Sequence, residues 1–415
     1  MISRWLLPAT ALIAWMTAPV PTRADSWPQF RGSMAEGHAP EANPPTLWSE
    51  TKNIRWKVPV AGQAWSSPIV AGNTIYVTTA VVDAENLSLR ALAFDLQTGS
   101  ALWEKEVIAV PVGAIHKKNS HASPTPICED DRLYVHFGNH GTACLAATNG
   151  DVLWTQTGLP YTPVHGSGGS PVLYQDRLIF SCDGAENPFV VALSKTDGAI
   201  LWKKPREVAV KSPFSFSTPL VIEVAGESQV ILPGSGAVMA YRPSDGSEIW
   251  RCRYGEGFSV VPRPVYHDGL VYVCSGFARA ILYAIRVDGT GDVTDTHVVW
   301  TDDKAVPKES SPIVVNGLIF LNDDKGILSC FDAKTGTEHY RERLDGEGGY
   351  SASPVYAGGL LYFHNGSGVT TVVKPDKVFR KIAENRIGEF GLSSFAVVAD
   401  GFIIRTESSL IRIGE

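Results

Sequence analysis

A phrase of the form small residue, Pro, two apolar residues, a turn, apolar-Tyr-Val, then Asp-x-x-Thr-Gly and Trp recurs along this chain about every 45 residues. Its clearest copy runs Ser67-Pro68-Ile69-Val70, Ile75-Tyr76-Val77, Asp95-Leu96-Gln97-Thr98-Gly99 and Trp103. The prolines return at Pro124, Pro171, Pro219, Pro264, Pro312 and Pro354, and the turn glycines at Gly150, Gly198, Gly246, Gly289 and Gly336. An aromatic follows each turn, at Trp154, Trp202, Trp250, Trp300 and Tyr340. Several short strands in a unit of this length predict a β-propeller, and the repeat overrides the several domains that 415 residues would otherwise suggest.

Each unit partitions into a four-stranded antiparallel blade. In the second, Thr125 to Cys128, Arg132 to Phe137, Ala143 to Ala147 and Val152 to Gln156 are the expected strands a to d. Asp130-Asp131 and Asn149-Gly150 supply residues that tolerate the backbone of tight hairpins. The eighth unit offers Ala396 to Val398, Phe402 to Arg405 and Leu410 to Ile413, then lacks a strand d. Asn53 to Val58 reads as that missing strand, because Trp56 lies 47 residues before Trp103. The expected fold is therefore all-β, an eight-bladed propeller over 53–415 whose last blade is closed by the N-terminal strand, which removes two exposed sheet edges. The repeated Trp is expected to dock on the neighbouring blade and to donate its indole N–H to a backbone carbonyl.

Met1 to Ala24 carries Arg4, an apolar run from Trp5 to Ala18 and a small-x-small site at Thr22-Arg23-Ala24, the pattern of a cleaved secretory signal. No later segment is apolar enough to span a bilayer, and no Cys follows the leader closely enough for lipid attachment. The expected location is periplasmic or secreted. Residues 25–52, with Trp27-Pro28-Gln29-Phe30-Arg31-Gly32 and a Gly-, Pro- and Ala-rich stretch to Pro45, are expected to run as a coil over the propeller surface, anchored by Trp27 and Phe30. The net charge of −7 becomes −9 once the leader and its two arginines are removed. That balance argues against a nucleic-acid partner, which requires a positive footprint. The six cysteines sit in or beside apolar strands, where a thiol behaves as a small core residue, so most are expected to be unpaired.

Loops entering strand a and loops joining b to c converge at one mouth of a propeller. Counting three residues back from each Pro gives Trp65, His121, Gly168, Phe216, Val261, Glu309 and Ser351, with His116, Asn119, His165, Arg263, Lys308 and Tyr350 nearby. The b–c loops add Asn139, His140, Asp183, Glu186, Arg279 and Asp323. Polar residues at strand ends commonly serve the backbone. The mixture of aromatic, imidazole and acid is more than packing needs, however, and it makes Trp65, His116, His121, His165, Phe216, Arg263, Glu309 and Tyr350 the candidate binding residues. His116 and His121, five apart in a loop, could ligate a metal with help from His140 or His165, but no Cys-x-x-Cys or His-Glu-x-x-His accompanies them and no metal is expected. Asn322 to Gly326 lacks the ligand spacing of a calcium loop and reads as a turn. No nucleophile elbow, phosphate loop or haem motif is present, and no catalytic residue is assigned.

The segments Ala93-Phe94-Asp95-Leu96-Gln97-Thr98-Gly99-Ser100-Ala101-Leu102-Trp103 and Cys330-Phe331-Asp332-Ala333-Lys334-Thr335-Gly336 resemble the pyrroloquinoline quinone (PQQ)-like propeller repeat, over nearly all of 53–415. Trp27 to Gly32 and Val260-Val261-Pro262-Arg263-Pro264-Val265-Tyr266 look like secreted bacterial PQQ-like propellers of the BamB-like type. The resemblance implies a monomeric binding or scaffold protein engaging a protein, peptide or small molecule at its mouth, without its own catalysis. The alternative it implies is a quinoprotein-type oxidoreductase holding PQQ there. Enzymes of that kind place a disulfide between adjacent cysteines over the cofactor, and here the closest cysteines, Cys128 and Cys144, are sixteen apart.

Overall fold

The Asp-x-x-Thr-Gly phrase builds the hairpin between strands c and d. In a computed structural model describing residues 26–344 and 346–415, the carboxylate of Asp95 accepts from the Gln97 and Thr98 amides at 3.0 and 2.8 Å. Asp332 does the same with Thr335 at 2.9 Å. These bonds hold both carboxyls below the usual carboxylate range. The glycine that follows takes a positive φ, +71° at Gly99, and carries a second constraint. A Cβ on Gly99 would lie 2.8 Å from the Trp56 ring, and one on Gly150 would lie 2.7 Å from Trp103. Trp56, Trp103, Trp154, Trp202 and Trp300 therefore each lie against the glycine turn of the next blade. The indole N–H of each of these five donates to a backbone carbonyl there: Trp56 to Leu96, Trp103 to Ala147, Trp154 to Lys195 and Trp300 to Ala333 at 3.1 Å, and Trp202 to Pro243 at 3.0 Å.

Eight antiparallel sheets result among the described residues. Their inner strands are Ile69–Ala71, Ile127–Glu129, Val172–Tyr174, Leu220–Val224, Val265–His267, Ile313–Val315, Val355–Ala357 and Ala396–Val398, blades 1 to 8 in order. The outer strand of blade 8 is Ile54–Pro59, paired antiparallel to Ser409–Gly414 with Val58 opposite Leu410. The ring closes as the spacing of Trp56 predicts. Apolar clusters fill the gaps between neighbouring sheets, such as Tyr134, Cys144 and Trp154 of blade 2 against Leu178, Phe180 and Val191 of blade 3. All six cysteines are buried and free, and burial pushes the Cys128, Cys252 and Cys330 thiols up to about 12.

Two details differ from the sequence reading. In blade 2 the residue before the inner strand is Pro126, so the anchor lies two residues beyond Pro124. In blade 5 the long c–d loop sends Gly291–Asp292 alongside Glu248–Arg253, and Trp250 donates to Gln229 Oε1 at 2.9 Å rather than to a backbone carbonyl.

The larger correction concerns the N-terminal segment. Residues 26–39 run through the central channel rather than over the surface, while Asn43 and Trp48 further on donate to Ala399 and Asn385 of blades 8 and 7. Ser26–Trp27 rises antiparallel to the inner strand of blade 1, and His38–Ala39 descends parallel to that of blade 7. Between them the Pro28 carbonyl accepts from Cys128 N–H of blade 2 at 2.9 Å. Arg31 donates to Pro312 and Ser311 carbonyls of blade 6 at 2.9 and 3.4 Å. Contacts with blades on opposite sides require a position on the axis. The segment is a hairpin plug whose tip, Phe30 to Ala35, points toward the mouth. The expected leader, 1–24, lies outside the described residues.

Candidate functional site

Above the plug tip is a cavity of about 430 Å³. Its upper tier follows the third residue before each blade's inner-strand anchor: Trp65, Ser123, Gly168, Phe216, Val261, Glu309, Ser351 and, before Phe395 in blade 8, Leu392. Phe258, Phe277 and the plug's Phe30 add aromatic surface. Trp65 meets Phe390 edge-on at 5.7 Å, and His165 packs on Phe214 at 5.1 Å and tilts over Phe216 at 6.3 Å.

The lower tier is the residue directly before each anchor: Ser67, Thr125, Ser170, Thr218, Ser311, Ser353 and Ser394, all lining the cavity. These side chains form a belt. Ser67 N–H donates to Thr125 Oγ1 at 3.0 Å, Thr125 N–H to Ser170 Oγ at 2.9 Å, and Ser170 N–H to Thr218 Oγ1 at 3.0 Å. Arg263 N–H continues it to Ser311 at 3.0 Å, Ser311 to Ser353 at 3.0 Å, Ser353 to Ser394 at 2.8 Å, and Ser394 back to Ser67 at 3.1 Å. Thus the strand-end amides, which would otherwise be buried without acceptors, are served by the next blade's hydroxyl. The belt breaks where blade 5 presents Arg263 in place of a hydroxyl.

A strap crosses the mouth. Blade 1 has unusually long strands, Thr74–Asp83, Asn86–Asp95 and Ala101–Pro111, and the chain then passes over the cavity to Ile127. Asn119 fixes this strap to the next loop by donating to the His165 and Ser167 carbonyls at 2.8 and 3.0 Å. Lys118 reaches the loop before blade 6, diametrically opposite, and pairs with Glu309 at 2.6 Å. Ser351 donates to the other oxygen of Glu309. His116 and His165 lie ring to ring at 5.1 Å, and burial, then the neighbouring His116, lowers the His165 pKa.

Five of the eight candidate residues are thus brought together: Trp65, His116, His165, Phe216 and Glu309. Three are not. His121 follows from the Pro124 register; it is buried beside His140 at 5.9 Å, and Ser123 occupies the tier position instead. Tyr350 is core, its ring covering Gly326, whose Cβ would meet it at 2.7 Å. Arg263 is 2% exposed and turns down, donating to Ala35 and Phe30 carbonyls of the plug at 2.7 and 3.3 Å and to Pro219 at 2.9 Å. Of the b–c loop residues, Asp183 is committed to a buried ion pair with Arg206 at 2.7 Å. Sequence reasoning missed Phe30, Lys118 and the hydroxyl belt. The belt was visible as the small residue before each Pro, had its hydroxyl been counted rather than its size.

The profile of the family described as outer membrane protein assembly factor BamB matches residues 46–157, 92–337 and 234–381. Among curated proteins, the chain is 24% identical over 326 residues to tetrathionate hydrolase of Acidithiobacillus ferrooxidans, covering 72% of this chain and 63% of that one. It is 23% identical over 256 residues to outer membrane protein assembly factor BamB of Moranella endobia, covering 61% and 62%. The chain therefore spans less than two thirds of the length of either relative. Two solved structures share the fold at low identity. BamB from Moraxella catarrhalis has a TM-score of 0.59 at 13% identity, covering 86% of this chain and 96% of that one. Quinohemoprotein alcohol dehydrogenase from Comamonas testosteroni has 0.64 at 10%, covering 95% and 81%.

Proposed function

The chain belongs to the family described as outer membrane protein assembly factor BamB, and from that premise we propose that it is an exported, monomeric binding propeller that engages a small molecule or a peptide segment of a protein in its mouth. The observation that carries this reading is the cavity itself, with aromatic walls and a few convergent polar groups, the usual form of a ligand site. Export rests on the leader pattern of residues 1–24; no helix among the described residues is long and apolar enough to cross a membrane.

The quinoprotein alternative asks more of the cavity than its residues offer. No group of three or more His, Cys, Asp or Glu among the described residues is placed to hold a metal ion. Among the described residues, the acid lining the cavity is Glu309, which is engaged by Lys118 and Ser351, and no cysteine lines it. That donor set does not fit a metal-assisted quinone.

The test is to purify the exported protein and identify what copurifies, by absorbance, mass and partner capture. Trp65→Ala with Phe216→Ala should abolish retention of that ligand or partner. Bound quinone with dye reduction, or turnover of tetrathionate, would replace this reading with an enzymatic one. Retention unchanged in the double variant would move the site away from the mouth.

A further inference from the structure

We propose that the mouth ligand is an oxyanion, gripped from below by the hydroxyl belt and from above by Lys118. This rests on the mouth being the binding site. Each belt oxygen already accepts a backbone N–H from the neighbouring blade. Its own hydrogen must therefore point away from that amide, and the group faces its surroundings as a donor. The Ser353 hydrogen goes to Ser311 Oγ at 3.1 Å. The other six, on Ser67, Thr125, Ser170, Thr218, Ser311 and Ser394, meet no acceptor among the described residues. All six residues are at least nine-tenths buried and line the cavity.

The upper tier has the same bias. Nδ1 of His116 accepts the Lys118 amide at 3.3 Å, so the neutral ring carries its hydrogen on Nε2 and is a donor there. The Trp65 indole N–H is buried without a partner. Against these donors stands Glu309, whose carboxylate is already shared between Lys118 and Ser351. A cavity with this surplus of donors and a cationic group on its strap is complementary to a compact species bearing several acceptor oxygens and negative charge. A cation would meet the Lys118 ammonium and hydroxyls that have already given one lone pair to a backbone amide.

The strap adds a consequence of opposite sign. Lys118 is held across the mouth by Glu309, so an entering anion must compete with that carboxylate for the same ammonium. Removing the carboxylate should therefore favour the ligand, while removing the ammonium should oppose it. A merely structural salt bridge would make both changes act alike.

Calorimetric titration of the purified protein at low ionic strength tests this, with sulfate, tetrathionate and citrate as anionic probes, glucose as a neutral one and choline as a cation. At least one anion should bind saturably at millimolar concentration or below. Lys118→Met should weaken it about tenfold or more, and Glu309→Gln should tighten it several-fold, with both variants unfolding at wild-type denaturant concentration; tenfold corresponds to about 1.4 kcal/mol. Anions that bind no better than glucose and choline, or a Glu309→Gln variant that binds anions more weakly, would overturn the proposal. If glucose or choline binds and Phe216→Ala abolishes it, the mouth remains a ligand site and only the oxyanion assignment falls. If no probe binds and partner retention is also indifferent to Trp65 and Phe216, the mouth reading falls first.

Discussion

The lower and upper halves of the central channel are framed by the same eight inner strands, yet they are finished in opposite ways. Below, the protein fills the channel with its own N-terminal hairpin, and Arg31 and Arg263 spend their hydrogens on carbonyls of Glu36, Pro312, Ala35, Phe30 and Pro219. Burial lowers the pKa of both guanidiniums, yet a guanidinium stays charged in a protein, so each persists only because several carbonyls solvate it. Above the plug tip, the strand-end amides are served by hydroxyls whose hydrogens are left over. The lower half is closed on itself; the upper half is closed only for acceptors. Blade 5 joins the two, because Arg263 gives up a place in the belt to hold the plug.

Breaking the lower half should have the largest effect. Deleting residues 26–58 removes the plug and the outer strand of blade 8 together, exposing a sheet edge and an open channel. The expected result is aggregation or loss of cooperative unfolding, read by size-exclusion chromatography and circular dichroism. A monomeric truncation of wild-type stability would mean that neither element closes the ring.

Next come the two arginines. Arg31→Ala strands two buried carbonyls, of Ser311 and Pro312, and a partly buried one, of Glu36, at ~1–3 kcal/mol for each unsatisfied buried group, so its denaturant midpoint should fall by an amount worth at least about 2 kcal/mol. Arg263→Ala should lose a comparable amount. If either change stays within the range of surface substitutions, the plug is a passenger in the channel rather than part of its core.

A smaller effect, graded by pH, falls on the ring itself. His136 and His364 are buried, each shares a hydrogen with a Thr hydroxyl at 2.8 Å, and burial holds both pKa values at about 3. An unfolded histidine titrates near 6.5, so below that pH the unfolded chain binds protons that the folded chain refuses. Stability present above about pH 6.5 should be lost as pH falls toward 3, by up to about 1.4 kcal/mol per pH unit for each histidine. Chemical denaturation at stepped pH checks this, and His136→Gln with His364→Gln should flatten the slope. A slope unchanged in the double variant would assign the acid sensitivity to other groups.

The mouth should be least sensitive. Lys118→Met removes a partly exposed pair, and stability should move by no more than about 0.5 kcal/mol. A larger loss would place the strap with the structural half of the channel and blunt the contrast between the two.

The architecture was legible because most blades repeat the same local bargain, a glycine turn that receives the Trp of the preceding blade, and in blades 1 and 6 an Asp accepts the amides of that turn. Trp56 in phase with the series even located the strand that closes blade 8. Legibility failed where a residue's partner lies across the ring. Pro124 and Pro126 are equivalent to a reader of blade 2 alone, and choosing between them moved the tier position from Ser123 to His121. Arg263 and Tyr350 sit at the right places in the chain, but their side chains turn away from the cavity.

The sequence by itself therefore determined the blade, the number of blades and the level at which the mouth would form, since hairpin chemistry and side-chain period act within a few tens of residues. Only the tertiary structure decided that residues 26–40 thread the channel, that Lys118 reaches Glu309 from the opposite side, and that seven hydroxyls form one belt. Those relations join residues from forty to nearly three hundred and thirty positions apart. They exist because closing the ring brings eight strand ends to one axis, where each amide must find its acceptor on the next blade.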